Sequence, residues 1–503
     1  MNPPQLDVAQ IQGRASLALR LSQPLTLRSA GREIPLPAGA VSLRLTTSTP
    51  CGRETWLWIG NAREEELARM MMELFQASGL SALLWPVGLT PAGSEWRPRE
   101  FRLLVRPEDE RLSLEELEAR LRQVQSSLRG VPLEMPQGKP SGQVEVKTEQ
   151  GEWTLPLPLE FHGSGTVELV DAPVGEGFHW EHVESLPLPA PLWVAAGADG
   201  QLCAGVRLEV EDYLASVNSS EMPADSPLEF LKSQVVAARS WLLANWGSHH
   251  PGEPFIVCAG DHCQCYYGPD RVQERSREAQ ASTAGMVLMH EGRVCDARYA
   301  KACGGVTEPG ANVWPFIEEA CLGHFRDLPG GEELDLSKDD AFRDFQGRNH
   351  PADACCAPGH APLEGCLADL TGLYRWEERT TRRELRETIR AKTGVDLGDI
   401  DELAALQRGP SGRLIEMEVR GPLGRLGLRP ELPIRRALSK THLPSSAFWV
   451  EYDGPEAIIL HGLGWGHGVG LCQIGAAALA VRGYTYDRIL AHYYRGTELE
   501  KAY

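Results

Sequence analysis

The sequence predicts a multidomain α+β protein: a β-rich N-terminal part with a small α+β module, then a mixed α/β domain. Three observations carry that expectation. At 503 residues the chain exceeds what one hydrophobic core usually accommodates. Apolar and polar positions alternate over residues 12–48 (LALRLSQPLTL, AVSLRLTT), the period of short half-buried strands. Helical spacing of apolar residues is confined to separate segments, the most emphatic beginning at Ser226.

The apolar fraction is 42%, and no apolar run approaches the ~20 residues of a membrane span, so a soluble globular chain without a transmembrane segment is expected. A net charge of −19 argues against nucleic acid as a partner, because basic surface supplies that affinity. It leaves an uncharged or mixed-charge polymer such as a glycan open. The opening MNPPQLDVAQ has neither the basic region nor the apolar core of a signal peptide, so the chain is expected either to be cytosolic or to begin after its leader.

The alternating segment is followed by a strand-like ETWLWIG, a helix-like REEELARMMMELFQASG ending on Gly79, and strand-like ALLWPVG and EFRLLVR. SLEELEARLRQVQSSLRG then reads as a helix, with Ser113 and Glu116 as a capping box and Gly130 just past its end. The resulting β-α-β-β-α order over 55–130 resembles SPOR domains, which bind peptidoglycan strands stripped of peptide; a plain structural module has the same order. Residues 131–200, rich in Pro and Gly, read as a β-rich connector. The expected division is therefore 1–130, 131–200 and 201–503, with the chemistry in the last part.

Three constellations lie there. In SPLEFLKSQVVAARSW, Ser226, Pro227 and Glu229 read as N-cap, first position and reaching-back glutamate, and Leu228, Leu231, Val235, Ala238 and Leu242 form one buried face. Lys232 and Arg239 fall on a different side. Glu221 precedes this helix, in a turn fixed by Pro223 and poorly hydrated by Met222 and Ala224. Such a setting raises a carboxyl pKa, as a general acid requires, although an exposed loop glutamate fits the same residues. Second, HHPGEPFIVCAGDHCQCYYG gathers His249, His250, Cys258, His262, Cys263 and Cys265. Thiolate plus imidazole is what zinc prefers, while a disulfide or buried free thiols also fit. Third, HGLGWGHGVGLCQIG (461–475) places glycines at every second position from 462 to 470. Without the Lys-Ser/Thr of a phosphate loop, it reads as extended chain with one bare face, open to a ligand or another backbone, or as a flexible loop.

These constellations, with SSEMPADSPLEFLKSQVVAARSW, VCAGDHCQCYYG, YAKACGGVTEPGANVW, LYRWEERTTRRELRETI, SGRLIEMEV and GWGHGVGLCQIGAAALAVRGYTYDRILAHYY in that order, make the region 206–503 similar to the SpoIID/LytB family. The resemblance implies a SpoIID-like catalytic domain with an extended groove. It implies lytic transglycosylase activity on peptide-stripped peptidoglycan strands, with Glu221 as acid/base; the alternative is a non-catalytic enhancer that binds the wall and stimulates an amidase. It also implies export, a cell-wall amidase as a partner, and a zinc ion on Cys258, Cys263 and either His250 or His249. Arg239, His262, Gln264, Tyr266, Trp465, His467 and Gln473 are then the expected substrate contacts, with His262 facing the groove. In an oxidising compartment Cys303 and Cys321 become a disulfide candidate. Lys301 in YAKACGG departs from the family's usual small hydroxyl residue. A Cys-rich insert around 321–370 adds Cys355, Cys356, Cys366 and His360 as a disulfide or second metal site.

Overall fold

The structure, a computed structural model, describes residues 2–89, 99–107, 114–124, 130–175, 182–223, 225–317, 319–330, 333–348, 350 and 352–503. The alternation in the N-terminal third builds two facing sheets. The strand Ser16–Leu21 shows why: its residues are exposed and buried in strict turn, so every second side chain enters a shared core. One sheet has seven strands and runs Val257–Cys258, Gln5–Arg14, Leu202–Glu209, Leu192–Ala196, Leu159–His162, Leu25–Ser29, Arg32–Leu36. The other has six, running Gly151–Pro156, Ser141–Thr148, Gly39–Thr49, Ser16–Leu21, Thr166–Val174, His182–Pro189.

The strands interleave across the expected boundaries. Gln5–Arg14 pairs antiparallel with Leu202–Glu209 and parallel with Val257–Cys258, so residues from the first ten of the chain sit beside the cysteine-rich segment. Gly39–Thr49 pairs with Ser141–Thr148, and the module between them is thereby an insertion into the sandwich. That module is a four-stranded sheet, Leu80–Val87, Glu100–Pro107, Gly52–Ala62, Val131–Gln137, with the helices Glu65–Ala77 and Leu114–Val124 and its own core around Leu57, Phe75 and Leu103. The β-α-β-β-α order is present, extended by a closing strand. Ser113 of the expected capping box lies outside the described residues.

Behind the sandwich stand the helices Val210–Glu221 and Leu228–Ala244. The second is buried on nearly every side, and Gln473–Val481 and Tyr486–Tyr493 pack beside it in a second core. Its expected capping box is not formed. Pro227 is the N-cap, Ser226 Oγ is buried with no hydrogen-bond partner among the described residues, and Glu229 instead bonds Lys232 Nζ (2.7 Å) and the Tyr486 N–H (2.8 Å). A third core gathers residues 385–460, with two three-stranded sheets, Arg375–Thr381 with Ala457–Leu463 and Phe448–Asp453, and Glu402–Arg408 with Leu414–Gly421 and Gly424–Leu428.

Candidate functional site

Glu221 is the last residue of the helix Val210–Glu221 rather than part of a free turn. Helix carbonyls converge there, so the carboxylate meets the negative end of the dipole. The side chain is half-buried. Its Oε1 accepts a long hydrogen bond from the Cys265 N–H at 3.4 Å, while Lys301 Nζ donates to the Glu221 carbonyl at 3.1 Å and lies 3.7 Å from Met222 Sδ. Burial pushes the Glu221 carboxyl above its ordinary range and the nearby Asp261 adds to this; Lys301, the Cys265 N–H and Gln473 pull the other way without reversing it. The group is thus biased toward the protonated form that an acid catalyst needs.

Two residues of this environment went unassigned in the sequence. Asp261 was passed over between the cluster's histidines and cysteines. Cys265 links it to Glu221, its thiol meeting Asp261 Oδ1 at 3.3 Å while its N–H meets Glu221. Lys301 was visible only as a departure in YAKACGG, and it is the cation at the site; burial lowers its own pKa against the pull of Glu221.

The cysteine–histidine segment sits next to this carboxyl. Cys258 is held on the sheet edge opposite Ala9. The ligand atoms of His250, Cys258, His262 and Cys263 lie within 4.8 Å of one another, with His250 Nε2 at 3.2 Å from Cys263 Sγ. A tetrahedral zinc ion holds sulfur at ~2.3 Å and imidazole nitrogen at ~2.0 Å, which spaces neighbouring donors by roughly 3.3–3.8 Å. Two thiols and two imidazoles at this spacing fit such an ion. His262 lies among these candidate donors, so four residues, not the three expected, are close enough together to hold such an ion. His249 is not in that group: its Nδ1 is bonded to Ser248 Oγ at 2.8 Å, and its ring lies against Trp241 and edge-on to His262 at 5.5 Å.

The glycine-rich stretch is filled by the protein itself. The strand Ala457–Leu463 ends where left-handed residues begin: Gly464, Gly466, Gly468 and Gly470 all have positive φ. A Cβ on Gly462 would stand 2.1 Å from the Trp376 indole, and one on Gly468 2.4 Å from the guanidinium of Arg413. Arg413, only 1% exposed, bonds the carbonyls of Gly466 (3.0 Å) and Cys303 (3.2 Å). The bare face meets this chain's own side chains and backbone, so of the expected occupants it is another part of the chain, not a ligand, that lies against it. On the furnished face, Trp465 pairs its backbone with Ala302, its N–H donating at 2.8 Å. It is half-buried, as is His467, whose Nδ1 accepts the Val469 N–H at 3.0 Å and whose ring edges onto Trp314. Burial, together with Arg298, Arg413 and Arg435, holds His467 far below its ordinary pKa, so it is neutral.

Three expected substrate contacts are interior residues instead. Arg239 is fully buried in a two-bond pair with Glu211 (2.9 and 2.7 Å), with a third bond to the Met286 carbonyl. Gln264 is clamped in the core, accepting from Tyr213 Oη and donating to the Ala238 carbonyl and Tyr299 Oη, each at 3.2 Å. Tyr266, 1% exposed, stacks on Tyr213 at 5.5 Å. Gln473 is also buried; its Nε2 has no well-formed hydrogen bond among the described residues, and its side chain approaches the Glu221 carboxyl. The Cys303–Cys321 pairing is corrected as well. Cys321 faces Cys295, sulfur to sulfur at 2.8 Å, and Cys303 turns to Cys356 and Asp327. In the insert, Cys366 is exposed and His360 bonds Arg482, so neither joins Cys355 or Cys356.

Comparison with known proteins gives matches to two parts of the chain. Residues 198–290 match the sequence model of a family described as Stage II sporulation protein (SpoIID), and residues 363–470, which hold most of the third core, match a domain of unknown function, DUF8618. The chain is 28% identical over 303 residues to the amidase enhancer of Bacillus subtilis strain 168, a match spanning 57% of this chain but only 40% of that protein. It is 24% identical to an uncharacterized protein of Brachyspira hyodysenteriae (58% of this chain, 67% of that one) and 22% identical to the Stage II sporulation protein D of Bacillus amyloliquefaciens (59% and 75%). A SpoIID domain with relatives of both names supports membership of the SpoIID/LytB family.

Proposed function

We propose that this chain is a lytic transglycosylase that cleaves the β-1,4 bond between N-acetylmuramic acid and N-acetylglucosamine in peptide-stripped peptidoglycan. The observation that carries the reading is Glu221, a half-buried carboxyl at a helix C-terminus whose pKa is raised above the ordinary carboxylate range by burial. In this scheme Glu221 gives its proton to the glycosidic oxygen as the C1–O bond breaks. The resulting carboxylate takes the proton of the muramic acid's C6 hydroxyl as that oxygen closes on C1. The proton balance is restored, and the product carries a 1,6-anhydro end. Because the nucleophile belongs to the substrate, no second carboxylate need attack, unlike the two-carboxylate hydrolases. Asp261 would act by keeping Glu221 protonated.

Trp465 would offer its indole face to a sugar ring and His467, neutral, a hydrogen bond; the orphaned Gln473 amide would find its partner in substrate or in the ionised Glu221. Zinc on His250, Cys258, His262 and Cys263 would be structural, since four protein donors leave no open position. Its contribution would be to hold the segment that presents the Cys265 N–H to Glu221. Such a substrate places the protein outside the cytoplasmic membrane. Among the described residues no helix is long and apolar enough to cross one.

The match to an amidase enhancer favours a second reading, in which the chain binds the wall and stimulates an amidase without cutting glycan. Incubating the protein with amidase-treated strands, and separately with an amidase and intact wall, distinguishes the two. Anhydro-ended sugars support the first reading; faster amide cleavage with no such ends supports the second.

A further inference from the structure

We propose that Cys303, Cys356, Cys472 and Asp327 form a second metal site, for a thiophilic divalent cation of the zinc type. None of the four belongs to the His250–Cys263 cluster. Their ligand atoms lie within 4.8 Å of one another, and all four side chains are at most 1% exposed. Cys303 Sγ stands 3.1 Å from Asp327 Oδ2 and 3.6 Å from Cys356 Sγ. Three thiols and one carboxylate oxygen make a four-donor S3O set, which suits zinc rather than magnesium or calcium.

The surroundings are arranged as they are around metal-bound thiolates. The Gly305 N–H points at Cys303 Sγ (3.3 Å), and the Cys303 and Gly475 N–H groups point at Cys472 Sγ (3.2 and 3.4 Å). Cys472 also caps the helix Gln473–Val481, whose positive end favours an anionic sulfur. Asp327 is oriented from behind: Oδ1 accepts from Tyr493 Oη (2.9 Å) and faces His492 Nε2 (3.2 Å), leaving Oδ2 toward the sulfurs. Its backbone is tied to both cysteine loops, its N–H to the Gly305 carbonyl and its C=O to the Cys355 N–H. Such outer partners fix the direction of a ligand's lone pair.

A disulfide explains this set less well. Three thiols can form one disulfide, leaving the third sulfur and the buried carboxylate facing it. Binding of the cation instead uses all four donors, with the thiol protons released to solvent. The ion would join four stretches of chain far apart in sequence. Two of them carry Lys301 and Gln473, the residues whose side chains reach the Glu221 region.

The test is metal counting on the full chain purified from zinc-supplemented medium, by native mass spectrometry and elemental analysis. The proposal predicts two zinc ions per wild-type chain, one in Cys258→Ser, one in Cys472→Ser and none in the double variant. In Cys258→Ser reloaded with cobalt, tetrahedral visible bands and a thiolate-to-metal absorption are expected. No ion in Cys258→Ser, an unchanged count in folded Cys472→Ser, or a disulfide among Cys303, Cys356 and Cys472 in peptide maps of the untreated protein would overturn it. If Cys472→Ser does not fold, X-ray absorption at the zinc edge of the wild type decides: sulfur outnumbering nitrogen around the averaged ion supports the second site, and equal numbers contradict it.

Discussion

Replacing Glu221 by glutamine keeps the side chain's shape and the contact with the Cys265 N–H but removes the transferable proton. Glycan cleavage should fall by about 10²–10⁴-fold, the usual share of general acid–base catalysis, with circular dichroism unchanged. The pH dependence is set by the same group. The acid must be protonated, so kcat/KM should fall as pH rises through the elevated Glu221 pKa. Lys301 opposes that elevation; Lys301→Met should therefore move the alkaline limb to higher pH, and a shift to lower pH would contradict the assignment. At Arg239 the expectation concerns stability. Arg239→Ala leaves the buried Glu211 carboxylate without its cation and should cost about 3–5 kcal/mol in denaturant unfolding. Glu211 is held below its ordinary pKa, against burial, by Arg239, Tyr503 and Gln280. The stability it contributes is complete above the normal carboxylate range and is lost on acidification through its depressed value. The neighbours Met222 and Pro223 leave Glu221 open as an exposed loop glutamate, and it is the resemblance carried by SSEMPADSPLEF that singles it out in the sequence; its place at the end of the helix Val210–Glu221 follows from no local signal. Arg239, Gln264 and Tyr266 were misread because nothing local distinguishes a polar side chain facing a ligand from one satisfied by a distant partner. Glu211 is 28 residues from Arg239, and Tyr213 is 51 from Gln264.

Among the elements, the glycine-rich stretch shows where periodicity misleads. Glycine at every second position was read as one bare face of an extended strand, but beyond Leu463 these glycines take left-handed backbone. Their spacing answers to Trp376, Arg413 and the loop around Cys303, none of which is near in sequence. A valine at Gly468 would face a strained backbone, worth about 1–3 kcal/mol, and a clash with Arg413 besides. Gly468→Val should lower the unfolding midpoint along with any activity, measured by thermal denaturation; a variant of wild-type stability would contradict the packing described. The helix Leu228–Ala244 was legible as an element, since its apolar residues recur at helical spacing, but its cap was not. Glu229 is drawn to the Tyr486 N–H, a long-range contact that overrides the local signal.

Across the whole molecule, the two-sheet sandwich and the later helices share one piece of framework, the strand Gln5–Arg14. Leu6 and Val8 are fully buried, and the strand bridges Leu202–Glu209 and the edge that carries Cys258. A fragment beginning at residue 198 would expose that apolar face and an unpaired ladder. It should unfold at markedly lower temperature than the full chain or fail to stay in solution; equal stability would contradict a shared core. The order of apolar and polar residues conveyed the fold class, since alternation and helical spacing are local properties. Which strand pairs with which is a long-range matter, and the interleaving of the termini followed from no local pattern.

In the proposed function one carboxyl, its pKa raised by burial at a helix end, lets the glycan's own hydroxyl break the strand. Mass analysis of amidase-treated glycan strands incubated with the wild type and with Glu221→Gln tests it most directly. The account predicts 1,6-anhydro-muramic ends from the wild type and almost none from the variant; equal amounts from both, or only reducing ends from the wild type, would contradict it.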